Sequence, residues 1–278
     1  MEITDNQLNL YAKYIDFTDV NDKINEFKSV LEFGISIVKE HLKKDFEFKI
    51  GEFGSILLNT IATENEPISF YVNIYDNEIY ENVLKVANSK LKKTKLITTD
   101  SIKLLLALYL DKYFGNINNV KISRNCITIN SIDILGFNAS VYIFASNHTQ
   151  NVMLDSFASK LITADLEYYY SCFTKKIENT NYNILEIINI FKNYANKYRI
   201  LENSFIIETL LYNVPNEYFI GDLRNQLIII INYLKFVNIY EFKSLFVKNE
   251  LITKDMFISN SLIQVKNDFD KFFSNLRN

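Results

Sequence analysis

Near residue 150 the hydrophobic pattern of this chain changes period, and that change limits the available folds more than any single motif does. Before it, strand-like runs are interleaved with helical stretches. "FEFKIGEFGS" alternates into a turn, Ser69 to Tyr75 is aromatic and β-branched, and "CITINSI" and "FNASVYIFA" flank "DILG" as a hairpin. Helical spacing runs from about Asn21 to Lys44 through Phe27, Leu31, Val38 and Leu42, and returns over 78–93. Thr99-Asp100-Ser101 can cap a helix that runs to Phe114 and stops at Gly115. After about Met153 the spacing predicts helices alone, over 154–177, 183–198, 203–213, 222–238 and 254–275. Strands with helices followed by helices alone predict an α+β fold. A mixed sheet with flanking helices takes residues 1–150 and a helical lobe takes 151–278.

Composition removes several function classes. A chain of 278 residues that is 48% hydrophobic can bury a sizeable core. A net charge of −3 gives no global pull toward nucleic acid or an anionic membrane, so such binding needs a local patch. The run Lys85, Lys90, Lys92, Lys93 and Lys95 is the candidate, but these positions do not form one helical stripe and read as a solvated helix end. The opening "MEITDNQLNLYAKY" lacks a basic and an apolar signal region. The apolar runs "IKLLLALYL" and "LIIIINYL" fall short of the roughly 20 residues of a membrane span. A cytoplasmic protein without membrane contact is expected. Cys126 and Cys172 read as reduced, packed thiols, and His41 and His148 assemble no zinc site or catalytic triad.

Two segments carry candidate chemistry. In "FGSILLNTIATENEPISFYVNIYD" (53–76), Gly54 lets backbone amides approach a phosphate closely and Ser55 adds a hydroxyl donor; a plain tight turn is the alternative. In "INIFKNYANKYRILENSFIIETLLY", Lys192 can counter phosphate charge and Ser204 can donate beside it. Phe205 offers a flat face on which a base can stack. Set against these roles, Lys192 also reads as a solvated helix lysine and Phe205 as core.

The ordered set Gly54-Ser55, Thr60, the strand at 69–75, "LLLALYLDKYFG", the hairpin and Lys192…Ser204-Phe205…Glu208 resembles the polymerase-β-like nucleotidyltransferase superfamily. Within it, the similarity is to the oligoadenylate-synthase and cGAS-like branch. The resemblance implies a nucleotidyltransferase-like lobe, a C-terminal helical lobe, and nucleotide binding at Gly54, Ser55, Lys192, Ser204 and Phe205. It also implies an Asp-x-Asp on the strand and a third acid on the hairpin, to hold Mg²⁺ for two-metal transfer. Those positions fall on Tyr71, Asn73 and, on or near it, Ser140. Asp76 and Glu78 have the wrong parity to substitute, Asp133 sits at the hairpin turn, and Glu64 and Glu66 lie in the loop ahead of the strand.

Two readings follow, with a third behind them. The first is a catalytically degenerate protein that binds a nucleotide, RNA or a protein partner, with no catalytic residues, no metal and no cofactor. The second is an active transferase using Mg²⁺ and acids recruited from elsewhere. The third is a structural subunit whose cleft is closed by side chains such as Tyr71. The sequence leaves the oligomeric state open.

Overall fold

The structure is a computed structural model describing residues 12, 20–56, 66–88, 96–115, 119–147, 150–154, 161–197, 204–246, 248, 250 and 251. The expectations for Thr60, Glu64, His148, Lys90, Lys92, Lys93, Lys95 and the helix at 254–275 lie outside the described residues, as does the side chain of Ser204. The chain divides into two compact units, one of residues 16–56 and 65–164, the other of 1–15, 57–64 and 165–278.

In the first of these units, helix α1 (Asn21–Leu42) buries Ile24, Phe27, Leu31, Ile35 and Val38, spaced by three and four so that one stripe faces inward. It stops where Lys43 turns left-handed, φ 51°, and donates its N–H to Glu40 O at 3.1 Å. Next come β1 (Glu47–Phe53), β2 (Ile68–Tyr75), α2 (Asn77–Asn88) and α3 (Thr99–Phe114). Gly115, φ 64°, ends α3 with its N–H on Asp111 O at 3.1 Å, as its position in the sequence predicts. Then follow β3 (Val120–Ile122), β4 (Cys126–Ile129), a single turn α4 (Ile132–Leu135) and β5 (Ala139–Ser146). The hairpin expected around "DILG" is β4–β5, with α4 and Gly136 at its tip.

The sheet runs β1-β2-β5-β4-β3, with β2 and β5 parallel and the other pairs of this run antiparallel. Two further strands, β6 (Asn151–Leu154) and β7 (Leu161–Ala164), extend from the end of β5. They stand partly where the sequence predicts the start of a helix. Four-residue runs such as "NVML" and "LITA" carry too little periodicity to separate strand from helix, and the pairing of β6 to β5 and of β7 to β6 decides.

One face of the sheet is apolar. Ile68, Phe70, Val72 and Ile74 on β2 and Ala139, Val141, Ile143 and Ala145 on β5 are buried there. Phe27 of α1 meets Phe70 edge-on at 4.9 Å and Phe137 at 6.1 Å. Each Val, Ile or Phe buried in this face contributes about 1.5–3 kcal/mol. The opposite face is largely polar, and it holds the positions of interest.

The second unit is helical: α5 (Leu166–Asn179), α6 (Asn183–Lys197), α7 (Ser204–Tyr212) and α8 (Leu223–Phe236). Asp165 starts α5, its carboxylate accepting the Tyr168 N–H at 2.8 Å. The core stacks Tyr169 on Phe246 at 4.7 Å and on Phe173 at 6.2 Å, and Ile187 and Phe191 are buried in the same unit.

Candidate functional site

Strand register settles which side chains share the polar face. On β2, Ser69, Tyr71, Asn73 and Tyr75 alternate with the buried apolar set, so they project together. The parallel pairing sets them beside Ser140, Tyr142, Phe144 and Ser146 of β5, in that order. Antiparallel β4 adds Thr128 beside Ser140 and Cys126 beside Tyr142. Tyr71, Asn73 and Ser140, singled out from the sequence, therefore lie on one face. Sequence reasoning missed Tyr142, which rather than Ser140 is the direct β5 neighbour of Tyr71. The parity of 140 and 142 is visible in the sequence, but their alignment against β2 is not.

The chemistry of this face is neutral. Tyr71 lies over Gly51 of β1 and 6.3 Å from the Phe53 ring. Asn73 is buried; its Nδ2 donates to Asn151 Oδ1 at 2.8 Å and to the Tyr75 hydroxyl at 3.2 Å. Its Oδ1 has no hydrogen-bond partner among the described residues. Burial pushes the Tyr142 phenol well above the usual tyrosine range. Burial also raises the Cys126 thiol, against hydrogen bonds from Tyr142 and Ser140 that lower it. Mg²⁺ prefers charged carboxylate oxygen. Phenols, a primary amide with its nitrogen already committed, and buried hydroxyls do not fit that ion. Among the described residues no group of three His, Cys, Asp or Glu is placed to hold a metal ion.

The neighbouring acids are engaged elsewhere. Asp76 caps α2, accepting the Ile79 N–H at 2.8 Å, and stands 3.3 Å from the Lys44 ammonium. Glu78 takes the same ammonium at 2.5 Å. Asp133 is exposed on α4. Glu66 behaves differently, because it sits at the glycine-serine turn.

That turn begins at Gly54, φ 73°, a left-handed backbone that glycine adopts without strain. Gly54–Ile56 then form one tight 3₁₀ turn. The Ser55 hydroxyl donates to Glu66 Oε1 at 2.6 Å. A carboxylate thus occupies the hydroxyl that the resemblance assigns to a phosphate.

In the helical unit, α6 and α7 bring Lys192 and Glu208 together. Lys192 Nζ is 2.8 Å from Glu208 Oε1, with the two side chains 4% and 0% exposed. The Tyr169 hydroxyl donates to Glu208 Oε2 at 2.8 Å. Phe205 is 5% exposed and edge-on to Tyr169 and Phe246, at 6.4 and 5.3 Å. Its ring packs against these two in the core of the helical unit. Ser204 opens α7. Lys192 and Phe205 are therefore gathered in one cluster, while Gly54 and Ser55 belong to the other unit.

Residues 171–278 match the family model of the cGAS/DncV-like nucleotidyltransferase C-terminal helical domain. No curated protein matches the sequence. The fold is similar to that of the Rhodothermus marinus CdnE c-UMP-AMP synthase solved with Apcpp and Upnpp. The TM-score is 0.65 at 14% identity, over 98% of this chain and 97% of that one. The Elizabethkingia meningoseptica CdnE cyclic dinucleotide synthase, solved with GTP and Apcpp, gives 0.65 at 18% identity over 98% of both chains. CdnC of Escherichia coli MS115-1, in a CdnC:HORMA-deltaN complex, gives 0.60 at 10% identity over 95% of this chain and 86% of that one. Among the described residues no helix is long and apolar enough to cross a membrane.

Proposed function

We propose that this chain, which has the cGAS/DncV-like nucleotidyltransferase fold, acts in the cytoplasm by binding rather than by nucleotidyl transfer. The observation that supports the reading is the register of β2 against β5, which sets Tyr71, Asn73 and Ser140, the positions where the resemblance expects acids, on one face beside Tyr142. Metal ions in such sites stabilise the transition state by several kcal/mol. At about tenfold per 1.36 kcal/mol, their loss slows transfer by roughly a thousandfold or more.

A nucleotide is the first ligand to test, because the R. marinus and E. meningoseptica relatives were solved with nucleotides or their analogues. A protein partner is the second, since a CdnC was solved in complex with a HORMA protein. One observation favours the active alternative: Glu66 places a carboxylate at the Gly54-Ser55 turn.

Calorimetry with ATP and GTP, with and without Mg²⁺, alongside turnover of labelled nucleotide, separates the readings. Metal-independent binding without product supports a binding protein. Mg²⁺-dependent product formation overturns it in favour of recruited acids. Absence of any nucleotide binding leaves a partner-binding or structural role.

A further inference from the structure

The polar face that β2, β5 and β4 present is neutral, and β1 extends it with two charged residues. On β1, Glu52 pairs with Lys28 of α1 at 2.5 Å, and the Phe48 ring centroid is 5.5 Å from the Lys39 ammonium of the same helix. The even-numbered positions therefore face α1, and alternation turns Glu47, Lys49, Gly51 and Phe53 to the other side. Register agrees. Lys49 is directly opposite Asn73 and Gly51 opposite Tyr71, while the Phe53 ring meets those of Tyr71 and Tyr142. Of the residues that these four strands set on the face, Lys49 is the one cation.

Lys49 is exposed and forms no ion pair or hydrogen bond among the described residues. Its cross-strand neighbour is the neutral amide of Asn73, and side chains so opposed start about 4.5–5.5 Å apart. One step along the same side, the Tyr71 phenol lies over Gly51 and adds a hydroxyl. Carboxylates bound this stretch at both ends. Glu47 stands two residues away, about 7 Å along the strand and opposite Tyr75. The turn where Glu66 accepts the Ser55 hydroxyl opens roughly 16 Å the other way. A single positive charge is thus set between two acids.

We propose that Lys49 supplies the counter-charge on this face and that its ligand is a nucleoside bearing one phosphate. A terminal phosphate carries about −1.5 to −2 charge near pH 7. One ammonium with a hydroxyl nearby suits such a group, or the single charge of a phosphodiester. The further phosphates of a nucleoside triphosphate would run along the strand toward Glu47 or Glu66 and meet no second cation on these four strands. The inference rests on the reading of this face as a metal-free binding site and names the class of ligand.

Calorimetry on the full chain in EDTA tests it, comparing AMP and GMP with adenosine, guanosine, ATP and GTP. AMP or GMP is expected to bind about fivefold more tightly than its nucleoside, the upper end for an exposed ion pair, and more tightly than its triphosphate. Lys49→Gln is expected to erase that margin without changing nucleoside affinity, and Lys49→Arg to keep it. Lys121→Gln, on β3 at the other edge of the sheet, is expected to change nothing. The dinucleoside monophosphate ApG separates the two sources: binding as tight as the monophosphate assigns a phosphodiester, and weaker binding assigns a terminal phosphate. Monophosphate binding that Lys49→Gln leaves intact overturns the proposal while the metal-free reading stands, and so does a preference for the triphosphate in EDTA. Mg²⁺-dependent product formation overturns both. Failure of every one of these ligands to bind overturns the proposal and leaves a partner-binding or structural role.

Discussion

Tyr71 of β2 faces Gly51 of β1 across the antiparallel pair, and a Cβ added to Gly51 would come within 2.6 Å of the Tyr71 phenol oxygen. The phenol and the missing side chain fit one another. The strand beside Tyr71 has room for a bulky ring because its partner position has nothing above the backbone.

Gly51→Ala is therefore expected to cost about 1–3 kcal/mol through overpacking. In a Tyr71→Ser background the same change should cost much less, since the atoms it meets are gone. Denaturant midpoints of the two single variants and the double variant give the coupling directly. Additive effects would mean that the ring does not rest where Gly51 leaves space.

The Ser55–Glu66 contact makes a second expectation. If the turn at Gly54 receives phosphate, the Glu66 carboxylate repels it and holds the Ser55 hydroxyl. Glu66→Gln should then tighten ATP binding by about tenfold, equivalent to 1.4 kcal/mol, as read by calorimetry. Unchanged affinity would place the phosphates away from this turn.

Lys192 and Glu208 form a buried pair with Tyr169 hydrogen-bonded alongside. Removing the lysine leaves a carboxylate without its counter-charge in the core. Lys192→Ala should lose about 3–5 kcal/mol of stability, and Lys192→Met with Glu208→Leu should lose far less. Chemical denaturation of both variants decides between a pair that holds the helices and a lysine held ready for solvent.

Lys176 of α5 supplies the pH dependence. Its ammonium is bonded to the Val214 carbonyl and lies 2.7 Å from Asn216 Oδ1. Burial lowers its pKa from 10.5 to about 8, against a smaller upward pull from Glu217. Between those values the unfolded chain holds a proton that the folded chain has released, so stability rises with pH. Compared with Lys176→Met, the wild type should gain stability from about pH 8 to pH 10.5 and lose it again as pH falls through 8. Parallel melting curves at each pH for the two proteins would refute this.

Much of the fold is legible in the sequence, and the reasons differ by element. The spacing in α1 and the stop signal at Gly115 are local, so the chain carries them openly. The alternation from Ser69 to Tyr75 likewise reveals that positions 71 and 73 share a face. Strands β6 and β7 are too short to announce themselves and exist through pairing, β6 to β5 and β7 to β6. The neighbour relation of Tyr71 and Tyr142 depends on parallel strands distant in sequence, which no local pattern encodes. Phe205 lies in an apolar run where a core ring and a stacking ring read alike, and its edge-on contacts with Tyr169 and Phe246 join residues distant in sequence. Glu66 was visible only as a loop acid; its hold on Ser55 is a matter of chain path.

Asp76 holds the Ile79 amide in the first turn of α2 and steadies Lys44 with the same carboxylate. Swinging it to the other side of β2 would fray that helix's first turn and leave Lys44 with Glu78 alone. No rotamer change can carry that carboxylate through the strand to the face shared by Tyr71 and Asn73. A negative charge on that face has to come from some other position of the chain.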